Sequence, residues 1–274
     1  MSDASRWISV GELAEAFSPE SNTPPPTGDL AGRTLKLHLE DGRVVACRFE
    51  SDCRLFWEII TGEEKGRGAE ETYRATKVRE GIYFVDFVER LKRATAVSTV
   101  LDLAQGIATA LVGKLPAQTE VKRPLAERVA EGKELTAVSA TFYSAALDVP
   151  FAPETRRHAP TGELVGRRVE YTYSLTERYE HIYLNEDFYT WHCLLGSEKG
   201  LADTDRCHYY KLAESLYLFV WREKIVPTLG VVVVDMDQMT TAGKIFGYQG
   251  GDFGKLANFP VGAHARLLNI ATRD

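Results

Sequence analysis

Two tyrosines set two positions apart in RRVEYTYS, Tyr171 and Tyr173, and a glutamate behind two large rings in LFVWRE, Glu223, carry the chemistry most open to reading in this chain. Spacing of two on a strand places both tyrosine side chains on one face. If that face lines a closed interior, two phenolic hydroxyls enter an apolar space, and each needs a partner from protein, water or ligand. Two neighbouring O–H donors can clamp a phenolate or carboxylate oxygen. The alternative is a pair of exposed strand tyrosines, or tyrosines bonded to nearby backbone. Glu223 shares strand parity with Phe219 and Trp221. A carboxyl desolvated beside two rings rises in pKa and can serve as a general acid near neutrality. Alternatively the strand stops short of Glu223, which then faces solvent or pairs with Arg222 or Lys224. His192, following Trp191 in FYTWHCLL, is a candidate auxiliary acid or base, although a strand histidine is more often a bonded scaffold residue. Trp191, Phe219 and Trp221 are expected to pack the interior and to supply ring contacts to a bound molecule.

The elements that would position these groups are strands. RVEYTY, YEHIYLN, FYTWHCLL, HYYKL, SLYLFVWRE, LGVVVVDM and GKIFGY are short, rich in aromatic and β-branched residues, and separated by turn-like groups such as GSEKG. RTLKLHL, VVACRFE, LFWEII, EETYRATKV, GIYFVDFVE and STVLDLA repeat the plan earlier in the chain. The two sets are copies. PTGELVGRRVEYTY echoes PTGDLAGRTLKLHL, and Gly166 lies 134 positions after Gly32. The same offset carries Trp57 onto Trp191, Glu64-Lys65-Gly66 onto Glu198-Lys199-Gly200, Glu89 onto Glu223 and Gly113 onto Gly247, with no gap expected between residues 26 and 113. Leu37 and Leu39 stand where the later copy has Tyr171 and Tyr173. The fold expected is therefore mainly β: two tandem antiparallel barrels of the calycin or lipocalin kind with a short N-terminal helix.

The boundaries expected are an N-terminal helix and connector over 1–25, a degenerate first barrel over 26–147, a linker over 148–159 and a ligand-bearing second barrel over 160–274. ELTAVSATFYSAAL (134–147) and GAHARLLNI (262–270) read as the last strands of the two copies. Ser9 with Glu12 fits a capping box ahead of VGELAEAF, and PLAERVAEGKEL (124–135) predicts a second helix opened by Pro124 and ended by Gly132.

A chain of 274 residues with net charge −6 has no basic stripe for a polyanion, so nucleic acid is not expected as a partner. No apolar run reaches membrane-spanning length, and the first residues lack signal-peptide character, which points to the cytoplasm. Cys47, Cys53, Cys193 and Cys207 read as free thiols. His181, His192 and His208 come from three strands without ligand spacing, so no metal is expected, and the phosphate-cradling and nucleophile-elbow motifs are missing, so no cofactor is expected.

The runs PTGELVGRRVEYTYS, YEHIYLN, YTWHCLLGSEKGLADTD and VWREKIVPTLGVVVVDM, closed by GKIFGY, resemble the MoaF family, labelled molybdenum cofactor biosynthesis protein F. The resemblance spans nearly the whole chain and implies a pair of calycin barrels and a link to molybdopterin metabolism. The second half is also similar to phenolic acid decarboxylases. That resemblance implies a YTY element, here Tyr171–Tyr173, that holds substrate together with an arginine. It also implies a glutamate two residues after a tryptophan, here Trp221 and Glu223, that delivers a proton through a quinone methide. The arginine is missing; rough alignment puts His192 in its place. The expectation that follows is a small aromatic or phenolic ligand in the second barrel and cofactor-free acid–base chemistry: decarboxylation, hydration or isomerisation. A binding module without turnover and an accessory factor in molybdenum cofactor assembly are the alternatives. The first barrel, its interior filled by residues such as Leu37 and Leu39, is expected to be structural or to form a homodimer contact.

Overall fold

A computed structural model describes residues 6–271. Helix α1 (Val10–Phe17) begins at a capping box: Glu12 N–H donates to Ser9 Oγ at 3.2 Å and Ser9 N–H donates to Glu12 Oε2 at 2.8 Å. Strands β1 (Thr34–Leu39), β2 (Val44–Phe49), β3 (Arg54–Thr61), β4 (Gly68–Arg79), β5 (Ile82–Val88), β6 (Thr95–Asp102) and β7 (Ile107–Lys114) follow one another as a meander. Two short helices, α2 (Gln118–Val121) and α3 (Leu125–Ala130), precede β8 (Ser139–Leu147), which pairs with β1 and closes the barrel. The predicted second helix is α3; Pro124 caps it, and Gly132 follows it at φ +66°.

The second barrel repeats the plan. It comprises the two-residue strand β9 (Ala159–Pro160) and then β10 (Arg167–Thr172), β11 (Arg178–Tyr183), β12 (Phe188–Leu195), β13 (Ala202–Ala213), β14 (Leu216–Arg222), β15 (Thr228–Asp235), β16 (Thr240–Tyr248) and β17 (Leu256–Ile270). β10 to β17 pair in chain order, β17 returns to β10, and β9 adds to the side of β13. The fold is thus two closed eight-stranded antiparallel barrels, so neither sheet leaves a long edge unpaired. β7 was not among the predicted strands. IATALVGK has little aromatic or β-branched bulk, and its strand state is set by pairing with β6 rather than by propensity.

Alternating burial shows which residues face inward. β3 buries Leu55, Trp57 and Ile59, and β12 buries Tyr189, Trp191 and Cys193. The first core gathers Leu37, Phe49, Trp57 and Phe87; the second gathers Tyr171, Tyr183, Trp191 and Phe219. Gly32 and Gly166 open the equivalent first strands at φ +78° and +84°, a region glycine enters without strain.

Pairing registers confirm the duplication and correct its alignment. Ile82 faces Asp102 in the first barrel, while Leu216 faces Asp235 in the second. The offset of 134 that holds through β5 and β14 therefore becomes 133 in the next strands. The β14–β15 loop is one residue shorter than the β5–β6 loop. Gly247 faces Thr228 as Lys114 faces Thr95, so Lys114, not Gly113, is its counterpart.

The chain forms two compact units. One holds the first barrel: Pro25–Lys114 with Ala140–His158. The other holds the second barrel together with residues 6–24 and Leu115–Ser139. In the latter, Tyr248 Oη donates to Pro116 O at 2.8 Å and Asn22 Nδ2 donates to Thr172 O at 2.9 Å. All four cysteines are free. Among the described residues, no helix is long and apolar enough to cross a membrane.

Candidate functional site

The second barrel holds a cavity of about 40 Å³. Its wall is aromatic and acidic: Tyr173, Tyr189, Trp191, Trp221, Glu198 and Glu223 all contribute, and no lysine or arginine does. Helix α1 covers it. Val10, Leu13 and Phe17 line the cavity, and the Phe17 ring packs 4.8 Å from that of Tyr173. Trp7 meets Trp191 edge-on at 5.4 Å.

Glu223 lies one residue beyond β14, and its N–H donates to Thr228 O at 2.9 Å, which continues the ladder and keeps its side chain on the Phe219–Trp221 face. Trp221 Nε1 donates to Glu223 Oε1 at 2.9 Å. Gly230 makes that geometry possible. It lies opposite Trp221, and a Cβ there would come within 2.0 Å of the indole. Neither neighbouring cation reaches Glu223: Arg222 donates to Glu134 at 2.8 Å, and Lys224 is drawn to Asp203 and Asp205. Burial pushes the Glu223 carboxyl well above the usual carboxylate range, and the nearby charges of Asp205 and Glu198 push it further; the Trp221 N–H works in the opposite direction. Burial also raises Glu198, whose Oε2 accepts from Tyr179 Oη at 3.2 Å. Asp205 is raised by burial as well and accepts from Trp191 Nε1 at 3.2 Å.

The first barrel shows what is unusual here. Trp57 Nε1 approaches Glu71 at 3.5 Å, as Trp191 approaches Asp205, and Arg90 N–H donates to Glu71 at 2.9 Å, as Lys224 N–H donates to Asp205 at 3.1 Å. Glu89 is the counterpart of Glu223, and Arg67 holds it in an ion pair while donating to Glu64 at 2.6 Å. Position 67 corresponds to Leu201. The second copy has kept the acids and lost the cation between them.

The structure brings Tyr173, Trp191, Trp221 and Glu223 to one cavity. Tyr171 and Tyr173 do point inward together, with their rings 6.5 Å apart, but Tyr171 lies deeper and shares a 2.7 Å hydrogen bond with the Tyr183 hydroxyl. Phe219 lies in the packed core, stacked on Trp221 at 5.3 Å. His192 is not brought to the cavity: its side chain is 41% exposed and Nδ1 lies 3.5 Å from Glu180.

One lining residue was not singled out as a site candidate. His181 is buried among Tyr171, Tyr189 and Trp221, and burial lowers its pKa to about 3, so the ring is neutral. Its Nδ1 has no hydrogen-bond partner among the described residues. The signal was present in RYEHIY, where His181 shares parity with Tyr179 and Tyr183. The assembled site can hold a small ring between aromatic faces, give it a proton from Glu223 and accept an O–H at His181 Nδ1.

Residues 5–117 match the MoaF N-terminal domain and residues 158–271 match the MoaF C-terminal domain. Protein MoaF of Klebsiella aerogenes is 44% identical over 273 residues, covering 98% of each chain. A crystal structure from Burkholderia vietnamiensis, described as a provisional beta-lactamase, aligns with 46% of this chain and 97% of its own at 17% identity; its TM-score of 0.32 is too low to carry an argument. The chain belongs to the MoaF family.

Proposed function

We propose that this MoaF-family chain binds a small uncharged hydroxylated aromatic molecule in its C-terminal barrel, with Glu223 as the acid and base of a cofactor-free reaction. The observation that carries this reading is a carboxyl that lines an aromatic cavity without a cationic partner, while its counterpart in the other barrel has one. A carboxyl kept protonated near neutrality can give up its proton at an ordinary working pH. Absence of any basic side chain from the lining favours a neutral ring over a carboxylate, which would face Glu198 and Glu223. Among the reactions considered, hydration or isomerisation is therefore preferred to decarboxylation.

In such a reaction Glu223 passes its proton to a side-chain carbon conjugated with the ring. Electrons from the hydroxylated ring form the new C–H bond, leaving a protonated quinone methide. Aromatic faces and the new Glu223 carboxylate stabilise that cation. The carboxylate then takes back a proton, either from water that adds at the benzylic carbon or from an adjacent C–H. Tyr173 and the His181 Nδ1 acceptor orient the ring hydroxyl.

4-Vinylphenol is a suitable probe. The wild type is expected to bind it and consume its conjugated absorbance. Glu223→Gln should bind it and lose about 100-fold or more of the turnover. Binding with no turnover by the wild type would reduce the site to a carrier. Preference for tetramethylammonium over the phenol would overturn the neutral-ring reading, since an aromatic box with two acids can also hold a cation.

A further inference from the structure

The first barrel is not filled. Leu37 and Leu39 line a cavity of about 150 Å³, against about 40 Å³ in the second barrel. We infer that this cavity is a second, separate ligand site for an uncharged apolar molecule about the size of one ring. Its interior wall is built from Leu37, Leu39, Val45, Ile59, Phe87 and Val97. A dry apolar cavity of this volume, created by truncating one leucine in another protein, accepts benzene or xenon.

Charged side chains collect at one end only, on the turns β1–β2, β3–β4 and β5–β6. They are paired with one another. Arg43 Nε donates to Asp41 at 2.8 Å, and the guanidinium lies 4.8 Å from the Tyr143 ring centre. Arg67 is shared between Glu64 and Glu89, and Lys92 Nζ stands 3.5 Å from Glu64. Three cations thus meet three acids. A charged ligand would have to break one of these pairs at a partly buried rim, whereas a neutral apolar one leaves them intact and takes its gain from burial. Of the two apolar thiols and hydroxyls nearest, Cys47 is held as a neutral thiol, its pKa pushed up to about 12 by burial. Nothing in the wall demands a charge from the ligand.

The duplication provides the test. Position 39 is tyrosine in the sister barrel, so Leu39→Tyr fills the cavity with a side chain that this fold already accommodates at the equivalent site. Fluorobenzene titrated into the full chain and followed by fluorine NMR should show saturable binding to the wild type and at least ten-fold weaker binding to Leu39→Tyr. Cross-relaxation from the bound probe should reach the methyls of Val97 and Val112 in the first barrel rather than those of Val226 and Ile245 in the second. Should Leu39→Tyr fail to fold, Val45→Phe blocks the same space, and the cross-relaxation pattern stands on the wild type alone. Benzoate, the same ring with a charge, should bind at least ten-fold more weakly. No saturable binding, unchanged binding in both filled variants, contacts confined to the second barrel, or benzoate binding as tightly as fluorobenzene would each overturn the inference. None of these results depends on turnover at Glu223.

Discussion

The two barrels share strand order, pairing and the tryptophan–acid contacts near one end, yet their interiors differ. Leu37 and Leu39 correspond to Tyr171 and Tyr173, Val45 to Tyr179, Cys47 to His181, Leu55 to Tyr189 and Ala75 to Tyr209. Nearly every change replaces an aliphatic or small side chain with a ring that carries a polar atom. The rings consume space, which is why the cavity of the second barrel is the smaller. They also bring hydroxyls and an imidazole inside. Loss of the Arg67 equivalent then leaves Glu223 as a buried acid. One scaffold has thus yielded an apolar hollow with its charges neutralised, and an aromatic box with a proton to give.

The largest effect expected from breaking this contrast is at Arg67. Arg67→Leu installs the residue of the second barrel and strands Glu89, whose side chain is 5% exposed. Removing one partner of a buried pair costs about 3–5 kcal/mol, which urea unfolding would measure. The reciprocal Leu201→Arg should give Glu223 a partner, draw off its proton and abolish the proposed turnover. Next is Gly230→Val, which sets the equivalent of Val97 beneath the Trp221 indole. Overpacking there should cost about 1–3 kcal/mol, and adding Trp221→Phe, the equivalent of Phe87, should recover most of it. Tyr171→Phe should cost about 1–2 kcal/mol by leaving the buried Tyr183 hydroxyl without its 2.7 Å partner.

The smallest effect is a pH dependence. Glu223 has a raised folded pKa, so its native form binds more protons than the unfolded chain above pH 4.5, and its contribution to stability falls as pH rises towards the folded pKa. Glu223→Gln should therefore raise the melting temperature by about 2–4 °C at pH 8 and by less at pH 5. His181 has the opposite consequence. Its pKa falls from 6.5 to about 3, so the unfolded chain takes up a proton first and stability declines as pH drops below 6.5.

Much of this contrast was present in the sequence. Period-two alternation in FYTWHCLL and the echo of PTGDLAGR in PTGELVGR gave the strands and the duplication, and parity placed Glu223 with Phe219 and Trp221. Three features lay beyond local pattern. IATALVGK is a strand because β6 pairs with it, not because of its residues. α1 covers a cavity built from strands more than 150 positions later, and amphipathicity shows that a helix has an apolar face without showing what that face meets. The one-residue contraction between β14 and β15 sits in a loop, where no side-chain period marks register. The replacement of Arg67 by Leu201 was visible one position past the matched Glu-Lys-Gly runs, but its meaning needed the ion pair to be seen.

The most direct measurement is a carbon NMR titration of the Glu223 side-chain carboxyl in protein labelled at glutamate. The carboxyl should remain protonated at pH 7 in the wild type and return to the ordinary range in Leu201→Arg. A wild-type carboxyl titrating near 4.5, the ordinary glutamate value, would contradict the assignment of Glu223 as the proton donor of the second barrel.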